Sequence, residues 1–425
     1  MKVVVTAIAA TDGRVLAGPM TCYTAPVLAA PRGPPKRHLV TTPSPNSTVT
    51  TGARFRVVSY NILAELYATK QAYPYCDSWS LAWPYRRAMI EQEIEEAQGD
   101  VVCLQEVQAD HYEQHINPFM QALGYDGLFK QKSRESMGQY GKVDGCATFW
   151  RRSKFIMLEN YAIEFNDCAR DAAAALGLDD GECRRYMNRL SRDNIAQIFV
   201  LEVITRPNAA GQTVRQPRQM TNVCVVNTHL YSNHARPDVK LWQSMILMRE
   251  VEQVAVARDI AVIICGDFNS EPDSAVHEFM SSGCLETAHP ELEQSDNLGI
   301  LPSQEEIGHN MEFASVMETT LGGEPPYTNF TAKFKGTLDY VWFTPGRLRV
   351  LAVTNVPDPQ DLFAQCGEGL PRCAYSLCPA WKCRLWPCRP LHPGTPTPSA
   401  WSCSAPVTHT PHRRIVFPPC NAAST

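Results

Sequence analysis

Residues 262–269 read Val-Ile-Ile-Cys-Gly-Asp-Phe-Asn, four apolar residues that run into a glycine and a polar pair. Such an apolar run, ended by Gly266, is typical of a strand that is buried on both faces. Asp267 and Asn269 flank Phe268, so on an extended chain their side chains point the same way. The stretch predicts a carboxylate and an amide side by side at the end of a buried strand. The alternative is an Asx turn that caps the next helix.

The same arrangement recurs elsewhere in the chain. A polar residue lies at or just beyond an apolar run at Asn61, Glu106 and His229, and Asp339 begins a strand after Gly336. Each alone is compatible with a turn, a surface carboxylate or a structural histidine. Together they combine hard oxygen ligands, which Mg²⁺ prefers, with an imidazole that can stabilise charge building on phosphorus. We therefore predict that these strand ends share one site.

The wider pattern predicts the fold class. Strands are expected at 54–59, 100–104, 145–150, 194–203, 222–227, 260–265, 338–343 and 348–353, and helices at 85–97, 109–123, 238–258 and 275–281. These elements alternate without a strict βαβ repeat. They favour an α/β fold, a two-sheet β-sandwich flanked by helices with irregular termini, over a doubly wound sheet.

Composition limits the function classes. The 425 residues are 44% hydrophobic, which is enough for a large core, and the net charge of -5 excludes a global basic surface for nucleic acid. No apolar run reaches the ~18 residues of a membrane span, so no membrane association is expected. The sequence has 16 cysteines. Those of the motif region lie singly on apolar strands and no secretory signal precedes them, so we expect free thiols in a reducing compartment.

Four segments are expected along the chain. Residues 1–29, with a hairpin around Asp12-Gly13, are interpreted as the remnant of a small β module, and 30–53 as a linker rich in Pro and basic residues. Residues 54–370 form the motif-bearing domain. Residues 371–425 contain no Asp or Glu, are rich in Pro and Cys, and are interpreted as disordered or aberrant sequence.

With these motifs, residues 54–370 resemble the endonuclease/exonuclease/phosphatase superfamily of Mg²⁺-dependent phosphodiesterases. The resemblance narrows to the poly(A)-specific deadenylase branch, the carbon catabolite repressor type of the Ccr4–Not complex, and is most similar to its plant and algal members. The narrowing stretches are 59–63, 81–87, 102–107, 142–149, 193–202, 238–242 and 327–340.

The resemblance implies a 3′-5′ exoribonuclease that removes poly(A) tails from mRNA and releases 5′-AMP. It implies Glu106 as the principal Mg²⁺ ligand, supported by Asn61, with two Mg²⁺ ions at the site. Two such ions stabilise the attacking and leaving oxygens of an in-line displacement.

The resemblance also assigns the remaining roles. Asp267 activates or orients the attacking water, Asn269 contacts the scissile phosphate, and His229 stabilises the transition state. Asp339 pairs with a final histidine. Phe334 matches an aromatic residue that stacks on an adenine, the alternative being a packing aromatic.

Three basic residues, Lys130, Lys132 and Arg134, precede the 143–147 stretch. They are candidates for a phosphate track, and a solvated charged face is the equal alternative.

One piece of the family pattern is missing. The family ends with a Ser-Asp-His step into a last apolar strand, shortly after a Leu-Pro dipeptide; here Leu370-Pro371 is followed by Arg-Cys-Ala-Tyr. The loss of that strand is expected to expose a sheet edge and to leave Asp339 without its partner. The tail is then a read-through or frame error, a weakly active isoform, or a segment in which His412 substitutes. Its cysteines recur every five residues, which disfavours a zinc site.

The expected partners are poly(A) RNA and the Ccr4–Not complex, and the expected location is the cytoplasm, in mRNA-decay bodies, with the nucleus as a further compartment. Two alternatives stay open. One is a catalytically impaired RNA-binding protein of the same fold. The other is a superfamily phosphodiesterase for a phospholipid, an abasic DNA site or a dinucleotide.

Overall fold

A computed structural model describes residues 2–23, 37–42, 53–133, 142–204, 222–293, 300–301, 306–331 and 333–357, together with the backbone of 381–387. The chain divides into two compact units, residues 1–35 and 36–425. In the first unit Lys2–Ile8 (β1) and Val15–Tyr23 (β2) form an antiparallel hairpin. Its turn includes Gly13, whose φ of 71° suits glycine. The hairpin agrees with the prediction, although its second strand begins at Val15 rather than near residue 21.

The second unit contains strands from β3 to β19, numbered along the chain. They are β3 Leu39–Thr41, β4 Phe55–Asn61, β5 Val101–Gln108, β6 Tyr125–Gln131, β7 Asp144–Arg151, β8 Phe155–Glu164, β9 Ile195–Val203, β10 Asn222–His229, β11 Ala261–Asp267, β12 Cys284–Glu286, β13 Glu306–Gly308, β14 Ala314–Ser315, β15 Asn329–Phe330, β16 Lys335–Gly336, β17 Asp339–Phe343, β18 Leu348–Thr354 and β19 Trp381–Pro387.

The helices follow in the same order. They are α1 Ser78–Leu81, α2 Trp83–Ala97, α3 Ala109–His111, α4 Asn117–Ala122, α5 Phe165–Ala175, α6 Asp180–Leu190, α7 Pro237–Val256, α8 Ala275–Ser282, α9 Pro290–Glu293 and α10 Val316–Leu321. The helix expected over 109–123 is interrupted by a π-helical turn, Tyr112–Ile116. Within the described part of the chain, no helix is long and apolar enough to cross a membrane.

Two sheets form the body of the second unit, as predicted. One has the strand order β3-β18-β19-β4-β5-β7-β6, and the other β14-β17-β11-β10-β9-β8. Most neighbours are antiparallel, but β4 and β5 run parallel in the first sheet, and so do β10 and β11 in the second. Because parallel strands end at the same edge, each sheet brings two adjacent carboxyl ends together.

Alternation along the strands builds three apolar layers. On β11, Ile263 and Cys265 pack into the layer between the sheets, whereas Val262 and Ile264 pack outward against the helices that include α7. The same period of two divides Val57 from Val58 on β4. A strand that is apolar on both faces is therefore required wherever helices cover the outside of a sheet.

The sheet that contains β4 also contains three strands that the sequence did not predict, β3, β6 and β19. Leu39–Thr41, inside the expected linker, pairs with β18 at the sheet edge. Trp381–Pro387, inside the expected disordered tail, lies between β18 and β4, with Trp381 opposite Ser59. The expectation that the last strand is lost is corrected here. Strand pairing requires an extended backbone with free amides, and an acid-free composition does not prevent that.

Candidate active site

The predicted polar residues meet at the carboxyl ends of the parallel strands. Asn61 ends β4 opposite Gln105 of β5, and Glu106 follows directly. On the other sheet His229 ends β10 opposite Asp267, which in turn lies opposite Asp339 at the start of β17. Five of the predicted residues thus come from adjacent strand ends of two facing sheets.

A hydrogen-bonded bridge joins the two sheets at this edge. The side-chain amide of Asn61 donates to Oε1 of Glu106 at 3.0 Å and to Oδ2 of Asp267 at 3.1 Å. Its Oδ1 accepts the backbone N–H of Leu63 at 3.0 Å, which fixes the orientation of the amide. Oε2 of Glu106 accepts the N–H of Ala64 at 3.0 Å. Asn61 therefore holds the two carboxylates together through its nitrogen.

A bulge turns Glu106 out of its strand. The register of β5 against β7 shifts by one residue between Leu104 and Val107, and Glu106 has a φ of 56°. A bulge leaves one residue unpaired and redirects its side chain, which explains how a strand residue reaches the site. The sequence gives no clear signal for such a bulge.

Carboxylates crowd this edge. Burial, with the nearby Asp144, raises the pKa of Glu106, although Lys132 opposes the shift. Burial and the charge of Asp339 raise the pKa of Asp267 well above its usual range. Mutual repulsion of this kind is what a bound divalent cation offsets.

These donors fit a Mg²⁺ ion. Within the described residues no three His, Cys, Asp or Glu side chains form a preformed metal cage. Mg²⁺ does not need one, because it is usually held by one or two carboxylates, by waters and by substrate phosphates. Glu106 supplies a partly buried carboxylate oriented by two donors, so the residues present suit the ion that the resemblance implies.

A buried ion pair of Lys132 and Asp144 lies beside Glu106. Nζ of Lys132 is 2.6 Å from Oδ2 of Asp144, with side chains 6% and 0% exposed, and the hydroxyl of Tyr67 donates to Oδ1 of Asp144 at 3.0 Å. Lys130 forms an ion pair with Glu164. Lys132 is therefore part of the interior and not of a solvated charged face, while Arg134 lies outside the described residues.

His229 and Asp339 flank Asp267. Nε2 of His229 is 3.8 Å from Oδ2 of Asp267, and its backbone carbonyl accepts from the side chain of Asn194 at 2.9 Å. Oδ2 of Asp339 accepts the hydroxyl of Thr328 at 2.7 Å. Thr328 is a contact that sequence reasoning missed. His412, the candidate substitute for the missing histidine partner of Asp339, lies outside the described residues.

Asn269 is fixed by three hydrogen bonds in a left-handed backbone conformation, with a φ of 49°. Its N–H donates to Oδ1 of Asp267 at 2.9 Å, and its Nδ2 donates to the carbonyl of Leu230 at 2.9 Å. Its own carbonyl accepts Nζ of Lys240 at 2.8 Å. The N–H bond to Asp267 forms the Asx turn that is the alternative to a site. The turn and the clustering of the polar side chains therefore occur together.

Phe334 lies on the β15–β16 hairpin, partly buried. Its N–H donates to the hydroxyl of Thr331 at 3.0 Å, and its ring centre is 5.5 Å from that of His234. A Cβ at Gly336 would come within 2.7 Å of both the Phe334 ring and Oε1 of Glu271, so the glycine makes room for this ring. One face of the hairpin therefore presents an aromatic group beside the 231–236 segment.

Comparisons with known proteins agree with this geometry. The profile of the Endonuclease/Exonuclease/phosphatase family matches residues 58–399, a range that runs past residue 370 and includes β19. Carbon catabolite repressor protein 4 homolog 1 of Arabidopsis thaliana is 37% identical over 372 residues, 80% of this chain and 60% of the relative. The CCR4-Not complex 3'-5'-exoribonuclease subunit Ccr4 of Schizosaccharomyces pombe is 32% identical over 342 residues, 74% of this chain and 47% of the relative.

The chain therefore spans about half to three fifths of the length of these curated relatives. Among solved structures, ANGEL2, a 2',3'-cyclic phosphatase, is similar with a TM-score of 0.63 and 26% identity, covering 84% of this chain and 99% of that one. The human Nocturnin catalytic domain, with a TM-score of 0.53 and 22% identity over 83% of this chain and 97% of that one, shares the fold.

Proposed function

The chain belongs to the endonuclease/exonuclease/phosphatase family, with relatives of the carbon catabolite repressor 4 type, and we propose that it is a Mg²⁺-dependent 3′-5′ exoribonuclease that shortens poly(A) tails. The observation that carries the proposal is the bridge from Glu106 through Asn61 to Asp267, at the strand ends of two sheets. The product of each cycle is 5′-AMP.

Each residue at the edge has a task in such a reaction. When bound, Mg²⁺ supplies charge stabilisation at the phosphoryl oxygens, and Glu106 with its two donors is the residue that holds it. The proposal includes two Mg²⁺ ions. Glu106 supplies one carboxylate ligand for them. Asn61 keeps Glu106 and Asp267 at a constant separation while the substrate enters.

The protein groups that act on the scissile phosphodiester lie around Asp267. Its Oδ2 accepts from Asn61 and lies 3.8 Å from Nε2 of His229. Asp267 takes a proton from, or orients, the attacking water, because its raised pKa brings it closer to the pH at which the enzyme works. His229 donates to a non-bridging oxygen on which negative charge builds. Asn269, fixed from three sides, contacts the scissile phosphate.

Recognition of the terminal adenine is proposed for Phe334. Base stacking on an aromatic ring contributes about 1–3 kcal/mol per base and does not by itself select adenine. The partly exposed ring of Phe334, beside His234, offers such a face. Poly(A) RNA is therefore the proposed substrate.

Two further parts of the proposal rest on the relatives. Three frog and fish relatives are named as CCR4-NOT transcription complex subunits, one of them 32% identical over 331 residues, and the Schizosaccharomyces pombe relative is named as a subunit of that complex. We extend this to membership of a Ccr4–Not complex. The corresponding location is the cytoplasm, in mRNA-decay bodies, and also the nucleus.

The proposal is tested by product analysis. The full chain is incubated with Mg²⁺ and RNAs that share a 5′ label and end in twenty adenosines or twenty uridines. We expect a one-nucleotide ladder and 5′-AMP from the adenosine tail, at least tenfold faster than the release of UMP. Phe334→Ala should slow adenosine removal by about 5- to 100-fold, the range that the stacking energy implies. A single internal cut, or equal rates on both tails, would contradict the proposal.

One other activity is favoured by a specific observation. The similar ANGEL2 structure is that of a 2',3'-cyclic phosphatase. An RNA that ends in a 2′,3′-cyclic phosphate separates the two activities, since that phosphatase would remove the phosphate and leave the chain length unchanged. A chain that binds oligo(A) and cleaves neither RNA would instead be the impaired RNA-binding protein.

A further inference from the structure

Lys240 is a buried cation that the reaction described above does not use. It lies in the first turns of α7, is 2% exposed, and its Nζ donates to the backbone carbonyl of Asn269 at 2.8 Å. Burial lowers the pKa of Lys240, and the carboxylates of Glu291, Glu271 and Asp267 oppose that shift. Removing an ammonium from water is costly, so a buried lysine that ends on a main-chain carbonyl requires an explanation.

The partner of Lys240 is a strained residue of the site. Asn269 has a φ of 49°, which costs more for an asparagine than for a glycine and persists only where the surroundings fix it. Its N–H and Nδ2 are held by Asp267 and by the carbonyl of Leu230. The bond from Lys240 is the third anchor and the one that holds the carbonyl end of the residue.

The same face of α7 also holds the segment that contains His229 and Tyr231. Oε1 of Gln243, three residues after Lys240, accepts the N–H of Tyr231 at 3.0 Å. Nε2 of Gln243 donates to Oδ1 of Asn194, whose own amide donates to the carbonyl of His229. Residues three apart lie on one face of a helix, so α7 presents a buried polar stripe to the main chain of both segments.

An independent contact anchors the start of α7. Asp238 accepts Nε of Arg189 at 2.8 Å, and the two side chains are 0% and 3% exposed. This buried pair joins α7 to α6 and does not touch the 267–271 segment. Arg189, on α6, therefore provides a matched buried cation that binds the same end of α7 through Asp238.

We propose that Lys240 is a positioning residue for the reaction: by binding the carbonyl of Asn269 it keeps that residue left-handed and its amide directed to the substrate phosphate. Lys240 does not touch the substrate and acts through Asn269. The proposal rests on the proposed function for its kinetic part, because the contact of Asn269 with phosphate belongs to that function.

A displacement of about 1 Å in a catalytic group can cost about 100-fold in rate. Lys240→Met, which keeps the length of the stem and removes the donor, should lower kcat on oligo(A) by about 10- to 100-fold and change KM by less than about threefold. Asn269→Ala should lower kcat by about 100- to 1000-fold.

The decisive comparison is the double variant. Lys240→Met combined with Asn269→Ala should have the kcat of Asn269→Ala alone, because Lys240 has nothing left to position. Arg189→Met should reduce the melting temperature and change kcat by the same factor in the presence and absence of Asn269. If Lys240→Met lowers kcat equally in both backgrounds, or leaves kcat unchanged, the proposal is overturned.

A second readout is independent of activity. Amide hydrogen exchange of the metal-free full chain should become faster across 267–271 in Lys240→Met and not in Arg189→Met. If the wild type releases no AMP, the proposed function fails, and this exchange result still decides whether Lys240 holds Asn269. Unchanged exchange across 267–271 would overturn the positioning role. If Lys240→Met does not fold, Lys240→Leu, which also removes the donor, takes its place under the same criteria.

Discussion

The amide of Asn61 donates to Oε1 of Glu106 at 3.0 Å and so orients a carboxylate that a bulge has turned out of the neighbouring strand. The same amide nitrogen reaches Asp267 on the other sheet. This relationship explains why an asparagine is needed at the end of β4. An aspartate would add a fourth negative charge to the edge, and a leucine would leave both carboxylates without their donor.

Asn61→Ala should weaken the apparent affinity for Mg²⁺ by about 10- to 100-fold, the usual effect of removing a residue that orients a metal ligand. The measurement is the Mg²⁺ concentration that gives half-maximal AMP release, with a Mg²⁺ thermal-shift titration as a binding readout. Asn188→Ala, an exposed asparagine of α6, is the control and should behave as wild type. An unchanged Mg²⁺ requirement in Asn61→Ala would show that Glu106 is oriented without it.

The raised pKa of Glu106 predicts a dependence of stability on pH. The folded state binds this proton more tightly than the unfolded state, so ionisation costs stability. The cost is absent below the ordinary carboxyl pKa, grows as pH rises through the window up to the raised value, and is fully present above it. Without metal, Glu106→Gln should therefore stabilise the protein at pH 7.5, and do so less at pH 4.

Urea unfolding in EDTA at the two pH values measures this difference. Glu113→Gln, a change to a carboxylate on the π-helical turn, is the control for the loss of a charge elsewhere. A destabilised Glu106→Gln at pH 7.5 would mean that hydrogen bonding, rather than repulsion and burial, controls this carboxylate.

The pair of Lys132 and Asp144 should be costly to break. Both side chains are nearly fully buried, so Lys132→Met leaves an uncompensated carboxylate and should cost about 3–5 kcal/mol. Adding Asp144→Asn should restore part of the loss, because the remaining group is then neutral. Chemical denaturation of both variants tests this. If the double variant is as unstable as Lys132→Met alone, loss of packing and not unpaired charge is responsible.

Residues 381–387 should be required for folding. They supply a strand between β18 and β4, and their loss would open the sheet that holds Asn61 and Glu106. A chain ending at residue 370 should aggregate or unfold without cooperativity, whereas a chain ending at residue 399, the limit of the family match, should melt as the full chain does. Equal melting of the two truncated chains would show that this strand contributes little.

Local sequence patterns predicted many of the strands and helices. They failed where the structure depends on contacts between residues that are distant in sequence. The apolar run before Asp267 predicted a buried strand, and the family and two-sheet fold are confirmed. The roles of the individual site residues stay predictions. The contact of Lys240 with Asn269 joins residues 29 apart, and no spacing rule connects them.

Two of the unpredicted strands, β19 and β3, have a different explanation. Residues 381–386 read Trp-Lys-Cys-Arg-Leu-Trp, in which the first five alternate between apolar and basic residues, a strand signal that the surrounding prolines and cysteines outweighed. Leu39–Thr41 is too short for its own pattern to show and becomes a strand through its pairing with β18. In both cases the neighbouring strand, and not the segment itself, determines the structure.

The most direct test of a metal-dependent site at these strand ends is single-turnover release of 5′-AMP from a 5′-labelled adenosine 20-mer by the full chain. We expect release with Mg²⁺, none in EDTA, and at least a 100-fold slower reaction for Glu106→Gln, whose circular dichroism spectrum should match that of the wild type. Release of AMP at the wild-type rate by Glu106→Gln, or by the wild type in EDTA, would contradict a metal-dependent site at these strand ends.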